Sequence, residues 1–132
     1  MFTSLTHFVY FLRLTKYSIW SKFFRKWKVE DITVEEASEK YDKGELFFVD
    51  VREATDFESV HIEGSINLKL SKIKKELNLI PKDKEIAVFC YGGGVSQAAV
   101  KTLLKKGYDA KNLKGGMVRW ALDVNNDFLE LL

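Results

Sequence analysis

Two short, uninterrupted apolar runs most constrain this chain: Leu46-Phe47-Phe48-Val49 and Ile86-Ala87-Val88-Phe89, each ending on a polar residue, Asp50 and Cys90. A strand with one wet face alternates apolar and polar side chains. A run apolar at every position belongs to a strand covered on both faces, the usual state in a parallel sheet. Parallel strands need crossovers, and helix signals lie between these runs. Thr33, with Glu36 three residues on, makes a capping box ahead of Val34-Glu35-Glu36-Ala37. A helix is expected from about Ser96 to Lys106, with Ala99, Val100, Leu103 and Leu104 on its apolar face and Gly107 as its stop. Tyr108 to Leu113 returns to the sheet, and Gly115-Gly116 opens a last helix through Trp120. The expected fold is α/β, a parallel sheet with helices on both faces.

Charge divides the chain near residue 29. Arg13, Lys16, Lys22, Arg25, Lys26 and Lys28 precede any acid, and all 19 acidic residues lie from Glu30 onward. Residues 1–29 are also rich in Phe, Tyr and Trp. They are expected to form a basic, aromatic, helical extension ahead of a domain over residues 30–132. The uncharged run from Met1 to Leu12 is too short to span a bilayer, which takes about 20 apolar residues. Arg13 and Lys16 would fall near the middle of any longer span, at a cost of about 3 kcal/mol each. Three readings of the extension stand: contact with an anionic membrane surface, an organellar presequence, or a helix packed on its own domain or on a second copy. The expected setting is cytoplasmic, peripheral to a membrane if the first reading holds, with organellar targeting as the other option.

With 46% apolar and 30% charged residues overall, the chain reads as a folded globular domain rather than a disordered tail. One cysteine forbids an internal disulfide, and with only two histidines the chain is poorly supplied for a metal site. No metal, organic cofactor or nucleic-acid partner is expected.

Chemistry is expected where strands end, since open α/β sheets gather ligands beyond the carboxyl ends of their strands. Cys90 stands there, ahead of Tyr91-Gly92-Gly93-Gly94-Val95-Ser96. Three glycines let the backbone curl so that amides point inward, and a helix beginning near Ser96 adds its positive end. Both favour an anion at the sulfur and should lower the pKa of the thiol. The competing reading is an inert cysteine at a strand end. Ser96 could add a hydroxyl donor, cap the helix, or do both. Other glycine-rich motifs fail on detail. Gly94 is followed by Val95-Ser96, not by the Lys-Ser/Thr of a phosphate-binding loop, and Gln97 breaks the dinucleotide fingerprint. No arginine lies between Cys90 and Arg119 to clamp a phosphoryl group.

Four blocks, in order, resemble the rhodanese-like domain family over roughly residues 30–122: Phe-Phe-Val-Asp-Val-Arg-Glu (47–53), His-Ile-Glu-Gly-Ser-Ile-Asn-Leu (61–68), Val-Phe-Cys-Tyr-Gly-Gly-Gly-Val-Ser (88–96) and Leu-Lys-Gly-Gly-Met-Val-Arg-Trp (113–120). The resemblance implies a single-domain sulfurtransferase, or a carrier holding sulfane sulfur as a Cys90 persulfide between a donor and a nucleophilic acceptor, each a small molecule or a protein. Loop residues 91–96 would hold the charged sulfur. Family loops often read Cys-Arg-x-Gly-x-Arg-Ser. Tyr91 and Val95 occupy the two arginine positions here, so weak activity on thiosulfate is expected. The resemblance gives Asp50 an architectural, supporting role, and Arg52 is the nearest stand-in for the missing cations. His61 reads as a hydrogen-bonded turn residue rather than a general base. The alternative from another class is a non-catalytic interaction or redox-sensing module on the same fold.

Overall fold

The fold comes from a computed structural model that describes residues 27–92 and 94–132. The expectations placed on residues 1–26, a helix, lipid contact and targeting, lie outside the described residues, as does Gly93. Among the described residues no helix is long and apolar enough to cross a membrane.

In chain order the elements are β1 (Asp31–Ile32), α1 (Val34–Asp42), β2 (Leu46–Asp50), α2 (Ala54–Ser59), β3 (Ile66–Asn67), β4 (Glu85–Phe89), α3 (Gly94–Lys105), β5 (Ala110–Leu113) and α4 (Gly116–Asp123). Short 3-10 turns cover Leu70–Lys75, Leu77–Leu79 and Asn126–Leu131. The strands form one sheet in the order β1-β5-β4-β2-β3, and every pairing is parallel. The two apolar runs are adjacent central strands, Leu46 opposite Glu85 and Asp50 opposite Phe89.

Side chains alternate across these strands and build a core on each face of the sheet. Val49, Ile86, Val88 and Ala110 pack with Ala99, Val100 and Leu103 of α3 and with Ile73. Phe48, Ala87, Phe89 and Leu113 pack on the other side with Val34 and Ala37 of α1 and Met117 and Trp120 of α4. Phe48 meets Phe89 and Trp120 edge-on, with ring centroids 5.8 and 5.2 Å apart. Burying each such large apolar side chain contributes about 1.5–3 kcal/mol. The parallel α/β sheet with helices on both faces is therefore the observed fold.

Local signals act as the sequence suggests. Thr33 Oγ1 accepts the Glu36 amide at 3.2 Å and caps α1. Gly107 takes φ +85° after α3, where the Tyr108 amide reaches back to the Leu103 carbonyl at 3.1 Å. One boundary differs. α3 begins at Gly94, so Ser96 is its third residue rather than its cap. The helix starts early because Gly94 and Val95 continue it toward Cys90, and Ser96 is fully buried with its hydroxyl engaged elsewhere.

Candidate functional site

The carboxyl ends of β2 and β4 lie side by side, and the Val51 amide donates to the Phe89 carbonyl at 3.0 Å. Cys90 follows β4 directly and is 9% exposed, its sulfur on the α3 face of the sheet. It opens into a surface cavity of about 250 Å³, lined also by Val51, Arg52, Glu53, Asp56, Tyr91 and Val95. Tyr91 and Val95 are exposed at its rim.

α4 holds the backbone here from the other face of the sheet. The Met117 amide donates to the Cys90 carbonyl at 2.8 Å, and the Val118 amide to the Tyr91 carbonyl at 3.2 Å. This approach needs Gly116. At φ +60°, a Cβ there would run into the carbonyl oxygens of Cys90 and Tyr91. The closing Gly-Gly block thus positions the cysteine segment from behind.

Behind the sulfur lies a line of polar groups. The Cys90 thiol donates to Ser96 Oγ, with Sγ···Oγ 3.6 Å. The Ser96 hydroxyl donates to Asn112 Oδ1, and Asn112 Nδ2 donates to Asp31 Oδ1 at 2.9 Å. Ser96 and Asn112 are buried, whereas Asp31 is exposed on the edge strand β1. Ser96, expected as a donor, therefore accepts from the thiol in this arrangement.

At the end of β2, Asp50 and Arg52 form a buried ion pair, 0% and 4% exposed. Asp50 Oδ1 accepts the Arg52 amide and Nε, each at 3.0 Å, and Oδ2 accepts Nη2 at 2.8 Å. Nη2 also donates to the Val60 carbonyl at 2.6 Å. Burial alone would lower the Arg52 pKa, but the Asp50 carboxylate holds it above its ordinary value. Asn67 Nδ2 donates to the carbonyls of Asp50 and Arg52 at 3.0 and 2.9 Å, tying β3 to this turn. Arg52 Nη1 is buried without a hydrogen-bond partner, and the guanidinium carbon sits 5.3 Å from the Tyr91 ring centroid. Asp56 beside the Tyr91 hydroxyl raises its pKa, burial adds to this, and Arg52 opposes both.

Of the residues singled out in the sequence, Cys90, Tyr91, Val95 and Arg52 meet at one cavity. Ser96 lies behind the sulfur, and Asp50 acts on Arg52. Gly92 and Gly94 are exposed on the segment between β4 and α3. His61 sits apart, its Nδ1 2.8 Å from the Phe57 carbonyl and its ring stacked on Phe57 at 4.0 Å. Asn112 and Asp31 were not legible as site residues. They are 81 residues apart and meet only through the β1–β5 register, which pairs them directly. Among the described residues, no three His, Cys, Asp or Glu side chains gather closely enough to hold a metal ion.

The family model of the rhodanese-like domain matches residues 33–123. The uncharacterized protein YqhL of Bacillus subtilis is 37% identical over 105 residues, covering 79% of this chain and 82% of that protein. YrkF of the same organism, named "Putative sulfur carrier protein", is 32% identical over 94 residues, or 70% of this chain; the match spans 51% of YrkF, about half its length. The crystal structure of a rhodanese-related protein from Thermoplasma volcanium superposes with a TM-score of 0.66 at 27% identity, covering 72% of this chain and 93% of that one.

Proposed function

The chain belongs to the rhodanese-like domain family, and from that premise we propose that it transfers or carries sulfane sulfur through a persulfide on Cys90. The reading rests on one observation: the lone cysteine stands at the end of a central strand, ahead of a helix N-terminus, and lines a small surface cavity. The name of the relative YrkF points the same way.

In the first half-reaction the Cys90 thiolate attacks the outer sulfur of a donor persulfide R–S–SH. The Cys90–sulfur bond forms as the donor S–S bond breaks, and R–S⁻ leaves with the electron pair. In the second, a nucleophilic acceptor takes that outer sulfur and Cys90 departs as the thiolate. Amides of the segment 91–96 and the positive end of α3 favour the charged sulfur species. Tyr91, Gly92, Gly93, Gly94, Val95 and Ser96 make up the binding segment in this proposal, with Asp50 and Arg52 in support.

Donor choice follows from charge. Among the described residues, the one guanidinium at the cavity is already paired with Asp50, and Glu53 and Asp56 stand beside it. Among the described residues a small dianion such as thiosulfate meets no uncommitted cation there, whereas a neutral or protein-bound persulfide meets the apolar faces of Tyr91 and Val95. Weak thiosulfate activity and a protein or uncharged donor are therefore part of the proposal. So are the division at residue 29, a cytoplasmic setting, and contact of residues 1–29 with an anionic membrane surface, which co-sedimentation of the full chain with anionic vesicles tests.

Exposure to a small persulfide donor should add about 32 Da, one sulfur atom, to the intact protein, and Cys90→Ser should abolish the addition. An unchanged mass in the parent protein defeats the reading and leaves a non-catalytic interaction or redox-sensing module.

A further inference from the structure

We infer that Asp31 and Asn112 are positioning residues that set the direction of the Ser96–Cys90 hydrogen bond, biasing the resting sulfur toward the protonated donor until a reaction partner reorganises the line. The inference deepens the sulfur-transfer reading, since the relay has a purpose only if Cys90 reacts.

The argument starts from how many hydrogens each group has. An ionised carboxylate only accepts, so Asp31 fixes which end of the Asn112 amide faces it: Nδ2 donates to Asp31, and Oδ1 is left facing Ser96. The Ser96 hydroxyl has one hydrogen, which goes to Asn112 Oδ1. Its oxygen can then only accept from Cys90, as the Sγ–H to Oγ bond shows. Every hydrogen in the line points away from the sulfur. To stabilise a thiolate, Ser96 would have to donate instead. If Ser96 turned its hydrogen to the sulfur, its oxygen would face Asn112 Oδ1, acceptor against acceptor, between two buried groups. Turning the amide would relieve that clash but set Oδ1 against the Asp31 carboxylate. The exposed end of the line therefore restrains the buried end, in opposition to the α3 dipole.

The side chains of the β2–α2 turn and of the loop that share the cavity with the sulfur and can titrate or carry charge are Arg52, Glu53, Asp56 and Tyr91. None belongs to the line, and none changes in the variants below.

The test is a thermodynamic cycle on the full-length protein. Thiolate ultraviolet absorbance is followed against pH, with Cys90→Ser subtracted to remove tyrosine ionisation. Asp31→Asn keeps the shape and lets either end of the amide face Asn112, so the Cys90 titration should move to lower pH. At a pH below the midpoint, the thiolate fraction should rise roughly fivefold, the size of one buried hydrogen-bond preference. Ser96→Ala cuts the line, and in that background Asp31→Asn should shift nothing. An equal shift in both backgrounds would mean that Asp31 acts only as a distant charge, and no shift in either would mean that it does not act at all; each overturns the inference. The titration needs no sulfur donor, so it can fail while persulfide formation succeeds, and the reverse.

Discussion

The neighbouring ends of β2 and β4 bury polarity in opposite ways. At β2 two full charges cancel within a closed pair. Asp50 and Arg52 are fixed by four hydrogen bonds between them and by a further bond from Arg52 to Val60. At β4 the buried groups behind the sulfur are neutral, a line of donors and acceptors that runs out to an exposed carboxylate. A closed pair is rigid and expensive to open, because removing either partner strands the other. A line of neutral groups keeps its direction only as long as its exposed carboxylate end holds it, so a change at that end can release the sulfur. The first arrangement suits a support and the second suits a reacting group.

The sharpest test of this contrast is Asp50→Ala, which leaves the Arg52 guanidinium buried without its carboxylate. It should cost about 3–5 kcal/mol in chemical denaturation. Cys90→Ser, which exchanges one small neutral group for another, should cost about 1 kcal/mol or less. Equal losses for the two would erase the distinction.

Gly116→Ala comes next. Its Cβ collides with the Cys90 and Tyr91 carbonyls and its backbone is left-handed, so a loss of about 2–3 kcal/mol is expected. The perturbation should fall on the β4 end. Persulfide loading should drop while amide signals of residues 50–52 stay near their parent positions, and a change of the same size at both ends would tie them into one unit.

The smallest effect is expected at the opposite end of β4. Burial would push the Glu85 carboxyl up, but a hydrogen bond from Lys40 at 2.8 Å and an ion pair with Lys111 at 2.9 Å hold it below its ordinary value. A lowered folded pKa means that the stabilisation is fully present above the unfolded carboxylate pKa and is lost as pH falls through the folded one. Glu85→Gln should therefore cost about 1 kcal/mol near neutrality. That difference from the parent should shrink below about pH 4.5, as acid denaturation curves would show. A difference that persists in acid would assign the loss to packing rather than to charge.

The central architecture was legible because its signals are local. Two apolar runs, the Thr33 cap and glycines at 107, 115 and 116 each act within a few residues, and each forms the feature expected of it, although the Glu36 carboxylate pairs with Lys40 rather than closing the capping box. β1 and β3, two residues apiece, carry no pattern of their own and exist through pairing with β5 and β2. α2 has no buried residue and no side-chain cap, so nothing in its sequence announces it. The site divides in the same way. Cys90 and Arg52 stand next to strand ends that the sequence marks. The partners of Ser96 depend on register: Asn112 meets Asp31 only because β5 lies between β1 and β4.

That strand order also governs when the molecule can complete itself during synthesis. The strand emerging fifth from the ribosome is inserted second in the sheet, and among the described residues it alone supplies a partner to β1. Until residues 110–113 clear the exit tunnel, a nascent chain carries β4 as a bare edge and the Asp31 segment with nothing to pair against. Cys90 is translated well before the strand that brings Asn112 to its serine, so the thiol spends that interval without the groups that later restrain it.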